Sequence, residues 1–186
     1  MNLEKYQQYS RIARGLEKAD LVLKDARIVN VFTEEIIRGD IAIQDGIIAG
    51  IGSFHGKEER DLAGRYVCPG FIDSHLHLES TLVTPAELVT VASRHGTTTF
   101  IVDPHESANV SGLAGIDYIL DQTEDVKANV YVMMPSCVPA TAIDDNGCTL
   151  TAEDMVPYLH NSRILGLGEV MDSISVVQGE KSMHDK

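Results

Sequence analysis

From residue 67 onward the chain repeats one pattern: a short apolar run, a polar cluster, then a stretch with helix-capping residues. The runs lie at residues 67–74, 97–102, 130–134 and 164–169, and their valines, isoleucines and threonines suit strands. Between the first two, Thr84-Pro85-Ala86-Glu87 supplies an N-cap, a proline at the first helical position and an acid three residues after the cap. That helix runs to His95, with Gly96 as its C-cap. Further helices are expected over residues 115–123 and from the Thr151-Ala152-Glu153-Asp154 cap to about His160. Strands alternating with helices predict a parallel sheet. Four such units fit either an open doubly wound sheet or the first half of a closed (β/α)8 TIM-type barrel, which needs roughly 250 residues. Both folds place their chemistry at the carboxyl ends of the strands. The polar last segment, residues 178–186, closes neither.

The preceding residues have a different texture. Residues 1–19 are expected to form an N-terminal helix over about 3–18, with Leu3, Tyr6, Ile12 and Leu16 as its apolar contacts and Gly15 as a weak point. Residues 20–65 read as a small β-sandwich portion. Its short runs at 21–23, 27–32, 40–43 and 47–51 are separated by turn signals at Lys24-Asp25, Thr33-Glu34-Glu35 and Asp45-Gly46. The barrel portion then occupies residues 66–186.

A formal charge of -13 argues against nucleic-acid backbones and anionic membranes, both of which would repel the chain. A neutral base or nucleoside is still admissible. Cys68, Cys137 and Cys148 are odd in number and unpatterned, which favours a reducing compartment over a disulfide framework. The first residues lack the apolar core of a signal peptide, and no apolar run approaches the roughly 20 residues that span a bilayer. A cytoplasmic address is expected.

The chemistry concentrates at the strand ends. In Phe71-Ile72-Asp73-Ser74-His75-Leu76-His77-Leu78-Glu79 two histidines are one residue apart, so on a strand they point the same way, with Asp73 and Glu79 on that side too. Imidazoles and carboxylates around an open position are the donor set of zinc-, iron- and manganese-dependent hydrolases. Glu169, after Ile164-Leu165-Gly166-Leu167-Gly168, is a second candidate, since a carboxylate can bridge two cations. Asp103-Pro104-His105-Glu106 is expected to contact substrate or to support the metal ligands, and Glu79-Ser80 to contact substrate. Rival motifs fail. His77-Leu78-Glu79 lacks the Pro-Cys-x-x-Cys partner of the cytidine-type deaminases, and Met171 stands where a dinucleotide fingerprint needs its third glycine. Ser136-Cys137 would need a neighbouring base to act as a nucleophile.

With those residues in view, the chain resembles the metal-dependent amidohydrolase superfamily and, within it, the adenine deaminases. The wider likeness rests on Pro69-Gly70-Phe71-Ile72-Asp73-Ser74-His75-Leu76-His77 following a small β-unit. The narrower one rests on His77-Leu78-Glu79-Ser80-Thr81-Leu82, Asp103-Pro104-His105-Glu106-Ser107-Ala108, Met134-Pro135-Ser136-Cys137-Val138-Pro139 and Leu165-Gly166-Leu167-Gly168-Glu169-Val170-Met171. The resemblance implies a (β/α)8 barrel with an attached β-sandwich, and a binuclear divalent-metal centre (manganese favoured over iron or zinc). It also implies hydrolysis of the small-molecule substrate adenine to hypoxanthine and ammonia in purine salvage.

Carried over by position, His75 and His77 would bind one metal. Glu169 would bridge both and serve as the catalytic carboxylate. Glu79, Asp103, His105 and Glu106 would line the substrate pocket. The family also draws two histidines and a proton-shuttling aspartate from later strands, and Asp172, His184 and Asp185 lie in the wrong context to replace them. The expectation is therefore the N-terminal portion of such an enzyme, inactive alone and partnered by further copies or by a complementing C-terminal fragment. The alternatives are another cyclic amidohydrolase, or an inactive remnant that only docks to a partner.

Overall fold

A computed structural model describes residues 2–186, whose contacts divide into two compact units, one reaching to Pro69 and one running from Gly70 to Lys186.

The first unit opens with α1 (Leu3–Ala13), whose N-cap Asn2 accepts the Lys5 backbone N–H at 2.9 Å. The helix stops short of residue 18 because Gly15, at φ +71°, turns the chain out of helical conformation. Of the four expected contacts only Ile12 is buried; Leu3, Tyr6 and Leu16 are exposed. Five strands follow: β1 (Ala19–Asn30), β2 (Glu35–Gln44), β3 (Ile47–Gly52), β4 (Gly56–Asp61) and β5 (Tyr66–Val67). They form one mixed sheet in the order β3-β2-β1-β4, with β5 also beside β1; β2 is antiparallel to β1, and β4 and β5 are parallel to it.

Lys24-Asp25, which reads as a turn, is instead a bulge inside one long strand: the register slips between Leu23 and Ala26, and Asp25 takes φ +49°. The Asp45-Gly46 hairpin forms as expected, both residues having positive φ as a primed turn requires. Strand β4, Gly-Lys-Glu-Glu-Arg-Asp, has no apolar alternation, because it is an exposed edge held by backbone bonds and guarded by charge.

The second unit is an α/β arrangement around a parallel sheet. Strands β6 (Phe71–Leu76), β7 (Thr97–Val102), β8 (Asn129–Met134) and β9 (Ile164–Leu167) pair in that order, all parallel. Around them lie α2 (Pro85–Ser93), α3 (His105–Ser111), α4 (Leu113–Gln122), α5 (Ala152–Met155), α6 (Ser173–Gln178) and α7 (Lys181–His184). The Thr84 and Thr151 caps form as expected, the latter as a reciprocal capping box with Asp154.

Helix α3 is not evident in the sequence. Its seven residues, His-Glu-Ser-Ala-Asn-Val-Ser, are largely polar and carry no apolar stripe. Gly112, at φ +60°, separates it from α4. The core sets Phe100, Val102, Val130, Val132 and Met134 of the sheet against Val89, Ile116, Ile119, Leu120 and Met155 of the helices. Full burial of each such side chain contributes about 1.5–3 kcal/mol. The first strand of this sheet carries Phe71 and Ile72 exposed, β6 being an edge strand.

Arg163 ties three elements together, donating to the backbone oxygens of Val130 (3.0 Å) and Leu120 (2.8 Å) and to the Thr123 hydroxyl. No helix among the described residues is long and apolar enough to cross a membrane.

Candidate metal centre

Chain alternation at the end of β6 sends His75 and His77 to one side, their rings 5.0 Å apart and nearly perpendicular. Glu169 reaches the same point from beyond the end of β9. One of its oxygens lies 3.3 Å from Nε2 of His77 and the other 3.7 Å from Nε2 of His75. Each of the three residues offers a ligand atom within 4.8 Å of the other two. Two imidazoles and a carboxylate, brought together from strands more than 90 positions apart in sequence, suit a divalent cation of the manganese, iron or zinc type.

What places Glu169 is backbone geometry. The Gly168 N–H donates to Met134 O at 2.7 Å, and the Glu169 N–H donates to Oδ2 of Asp103 at 3.0 Å. The Asp103 N–H in turn donates to Leu76 O at 2.9 Å, so the ends of β6, β7, β8 and β9 are in mutual register. A Cβ at residue 168 would fall 2.3 Å from Asp103 Oδ2, so this close approach requires glycine.

The electrostatics favour positive charge at this point. Burial pulls the His77 imidazole down, but the carboxylates of Glu106, Asp103 and Glu169 outweigh it and hold the ring above the ordinary histidine value. Glu106 Oε2 lies 3.2 Å from His77 Nδ1, and its Oε1 accepts the Ser80 hydroxyl at 2.8 Å. Burial raises Glu79, whose Oε1 accepts the Ser107 N–H at 3.0 Å. Glu106 is pushed up by burial yet ends below the usual carboxylate range, because Ser80 and His77 stabilise its charge.

The remaining sequence candidates fall out as follows. Asp73 does not join the cluster, because its carboxylate turns back to accept the His75 N–H at 3.3 Å. Glu79 sits in a short 3-10 turn (Glu79–Thr81), where strand alternation no longer governs direction. Asp103 and His105 are in the cluster but buried, 1% and 5% exposed, while Glu106 is exposed. The Ser136 hydroxyl donates to Glu169 O and Cys137 Sγ accepts the Asp172 N–H at 3.4 Å, so both stiffen the segment around Glu169. Sequence reasoning did not pick out Gly168 or Ser136 as groups that place this carboxylate. The glycine preceding a strand-end acid was the available signal.

The amidohydrolase family matches over residues 66–176, three fifths of the chain. The chain belongs to the amidohydrolase family. Among curated relatives of this amidohydrolase, an adenine deaminase of Desulfitobacterium hafniense (strain Y51) is 56% identical over all 186 residues, which are 33% of that protein. An adenine deaminase of Geobacillus kaustophilus is 50% identical over 169 residues, 91% of this chain and 29% of the relative. One from Clostridium acetobutylicum is 49% identical over 174 residues, 94% and 30%. The amidohydrolase chain thus spans about a third of the length of the curated relatives it matches. A solved N-acyl-D-glutamate deacylase of Bordetella bronchiseptica is similar over 63% of this chain and 30% of that one, at 23% identity and a TM-score of 0.49. That likeness is too slight to support any conclusion.

Proposed function

We propose that the amidohydrolase to which these residues belong converts adenine and water to hypoxanthine and ammonia, and that this chain supplies its first metal-ligand cluster. The observation that carries the reading is the convergence of His75 and His77 at one strand end with Glu169 at another. The naming of three relatives at 49–56% identity as adenine deaminases supports the substrate. The parallel sheet β6–β9 is read as the first four strands of a (β/α)8 barrel over residues 66–186. Residues 20–65 are read as part of a small β-sandwich, preceded by the helical residues 1–19.

The donor set fits a divalent cation by chemistry and by fit: two imidazoles and one carboxylate face a common point at ligand spacing. His75, His77 and Glu169 would hold it, and manganese suits this sulfur-free mixture of nitrogen and oxygen. Such a cation supplies Lewis acidity that makes water a competent nucleophile at neutral pH.

The residues around it have separate tasks. Glu169, with one oxygen toward each histidine, orients both rings and would be the carboxylate shared with a second cation. Glu106, steadied by Ser80, and the neighbouring Glu79 present acceptors for the amino group and ring N–H of adenine, while Asp103 and His105 shape the site from beneath. In the reaction a water oxygen bonds to the amino-bearing ring carbon, the carbon–nitrogen bond breaks, and the nitrogen leaves as ammonia carrying a proton from the attacking water. Burial of Glu79 favours its protonated form and suits it to handle that proton.

An uncharged base is compatible with a chain of charge -13, and the three free cysteines fit a cytoplasmic address. The working assembly would contain further copies of the chain or a complementing C-terminal partner.

The test is ammonia release from adenine by the manganese-loaded chain, alone and mixed with the C-terminal two thirds of the Desulfitobacterium hafniense relative. Release that a chelator and His75→Ala both abolish supports the reading. Release that survives His75→Ala, or none in either arrangement, overturns it.

A further inference from the structure

We infer that strand β3 (Ile47–Gly52) is a dimerisation edge, pairing antiparallel with the same strand of a second copy of this chain. The inference concerns the first unit and is independent of the substrate and metal assigned above.

Of the edges of that unit's sheet, β4 is protected and β3 is bare. Five of the six residues of β4 are charged, whereas β3, Ile-Ile-Ala-Gly-Ile-Gly, has neither charge nor proline. Among the described residues β3 makes no backbone bond to any element but β2. An edge that offers a row of donors and acceptors without a guarding charge is a template for another strand.

The register shows which side chains such a strand would meet. Ile51 stands opposite Ile41 and Ile48 opposite Ile43, with Ala49 bulged between them, so both isoleucines lie on the face of Ile41 and Ile43. Ile41 and Ile43 belong to a packed apolar cluster with Ala26 and Ile28. Ile48 and Ile51 carry that face to the edge, where they are 63% and 46% exposed. Ala49 packs on the opposite face, with Ile12 and Ala42.

A second copy fits because the edge is complementary to itself. A two-fold axis normal to the sheet, between Ala49 and Gly50, sets Ile48 of each copy opposite Ile51 of the other. Two β-branched cross-strand pairs then cover each other on the face where they are bare. No like charges meet, since the strand has none. The unit around it is also nearly neutral: residues 1–69 hold 10 Lys and Arg against 11 Asp and Glu, while residues 70–186 hold 5 against 17. Each copy uses its β3 once and the β4 edge is charged, so association stops at two copies instead of growing into a fibre.

Sedimentation equilibrium of the full chain tests this. The wild type is expected to be a dimer that tightens as salt is raised, because screening relieves the repulsion of two acidic copies and no interfacial ion pair is lost. The Ile48→Lys/Ile51→Lys double variant sets like charges opposite each other in both pairs. It should weaken dimerisation about tenfold or more, with an unchanged far-ultraviolet circular dichroism spectrum. Ile48→Lys/Ile51→Glu is equally polar but faces opposite charges, and should dimerise more tightly than the Lys/Lys chain.

A monomeric wild type overturns the inference, as does a dimer that both double variants leave as tight as before. Equal weakening in the two double variants also overturns it, since a partner strand of other sequence or register would give that result. Should the variants unfold, hydrogen exchange of the wild-type chain decides instead. Amides of residues 47–52 that exchange more slowly as the chain is concentrated uphold the edge, and exchange there that ignores concentration overturns it.

Discussion

Two aspartates, one in each unit, are nearly removed from solvent, and their surroundings are opposite. Asp40, 8% exposed on β2, accepts the Lys24 ammonium and the N–H groups of Asp25 and Phe54, each of the latter at 3.1 Å. Asp103, beyond β7, accepts one N–H and leaves its other oxygen facing an unpartnered imidazole. The first is a finished structural knot that pins β1 to β2. The second sits against the His105 imidazole, Nδ1 lying 2.5 Å from Oδ1 without an aligned hydrogen bond. Burial by itself therefore says little about a carboxylate's role, whereas the count of its unmet bonds says a great deal.

If that contrast is sound, removing the finished knot has the largest effect on stability. Asp40→Ala takes the carboxylate from the Lys24 ammonium, which keeps only Phe54 O, and strands two N–H groups, so urea unfolding should show a loss of about 2–4 kcal/mol, the same with and without Mn2+. The pH dependence follows from the same contacts. Burial pushes the Asp40 carboxyl up, but Lys24 and the two N–H groups outweigh it and hold it below its ordinary value. Its contribution is therefore present above the unfolded-state value of about 3.9 and is lost as pH falls through that region toward the folded-state value. The difference in melting temperature between wild type and Asp40→Asn should accordingly be widest near neutrality and close in acid. A difference that widens in acid would contradict the assignment.

Cation loading comes next in size. At one hundred times its dissociation constant, Mn2+ should stabilise the chain by about 2.7 kcal/mol per site, as read by thermal unfolding. That gain should shrink in His75→Ala and persist in Asp40→Asn. For the metal-free chain, Asp103→Asn should change stability by no more than about 1 kcal/mol, since the amide keeps an oxygen that accepts the Glu169 N–H. A loss as large as that of Asp40→Ala would erase the distinction between the two aspartates. Smallest of all, His75→Ala without metal should stay within about 0.5 kcal/mol of wild type, because that ring is exposed.

How far the sequence could be read follows the same physics. The strands at 97–102 and 130–134 and the caps at Thr84 and Thr151 were legible because apolar periodicity and capping chemistry are local. The charged edge β4 and the polar helix α3 were not, since pairing and tertiary docking hold them without any periodic apolar signal. His75 and His77 were legible as a pair because strand geometry needs only two residues. Asp73 failed as a member of the cluster because a backbone N–H two residues on competes for its carboxylate.

The order of residues determined the alternation of strands and helices and the shared direction of the two histidines, both of which are properties of a few neighbours. Only the folded chain decided that Glu169 meets them, that Asp103 and His105 are sealed beneath it, and that Gly168 makes the room. Those facts depend on the parallel register of β6 to β9, which brings together groups separated by most of the second unit. Hydrogen bonds between strand ends set distances that spacing along the chain does not encode.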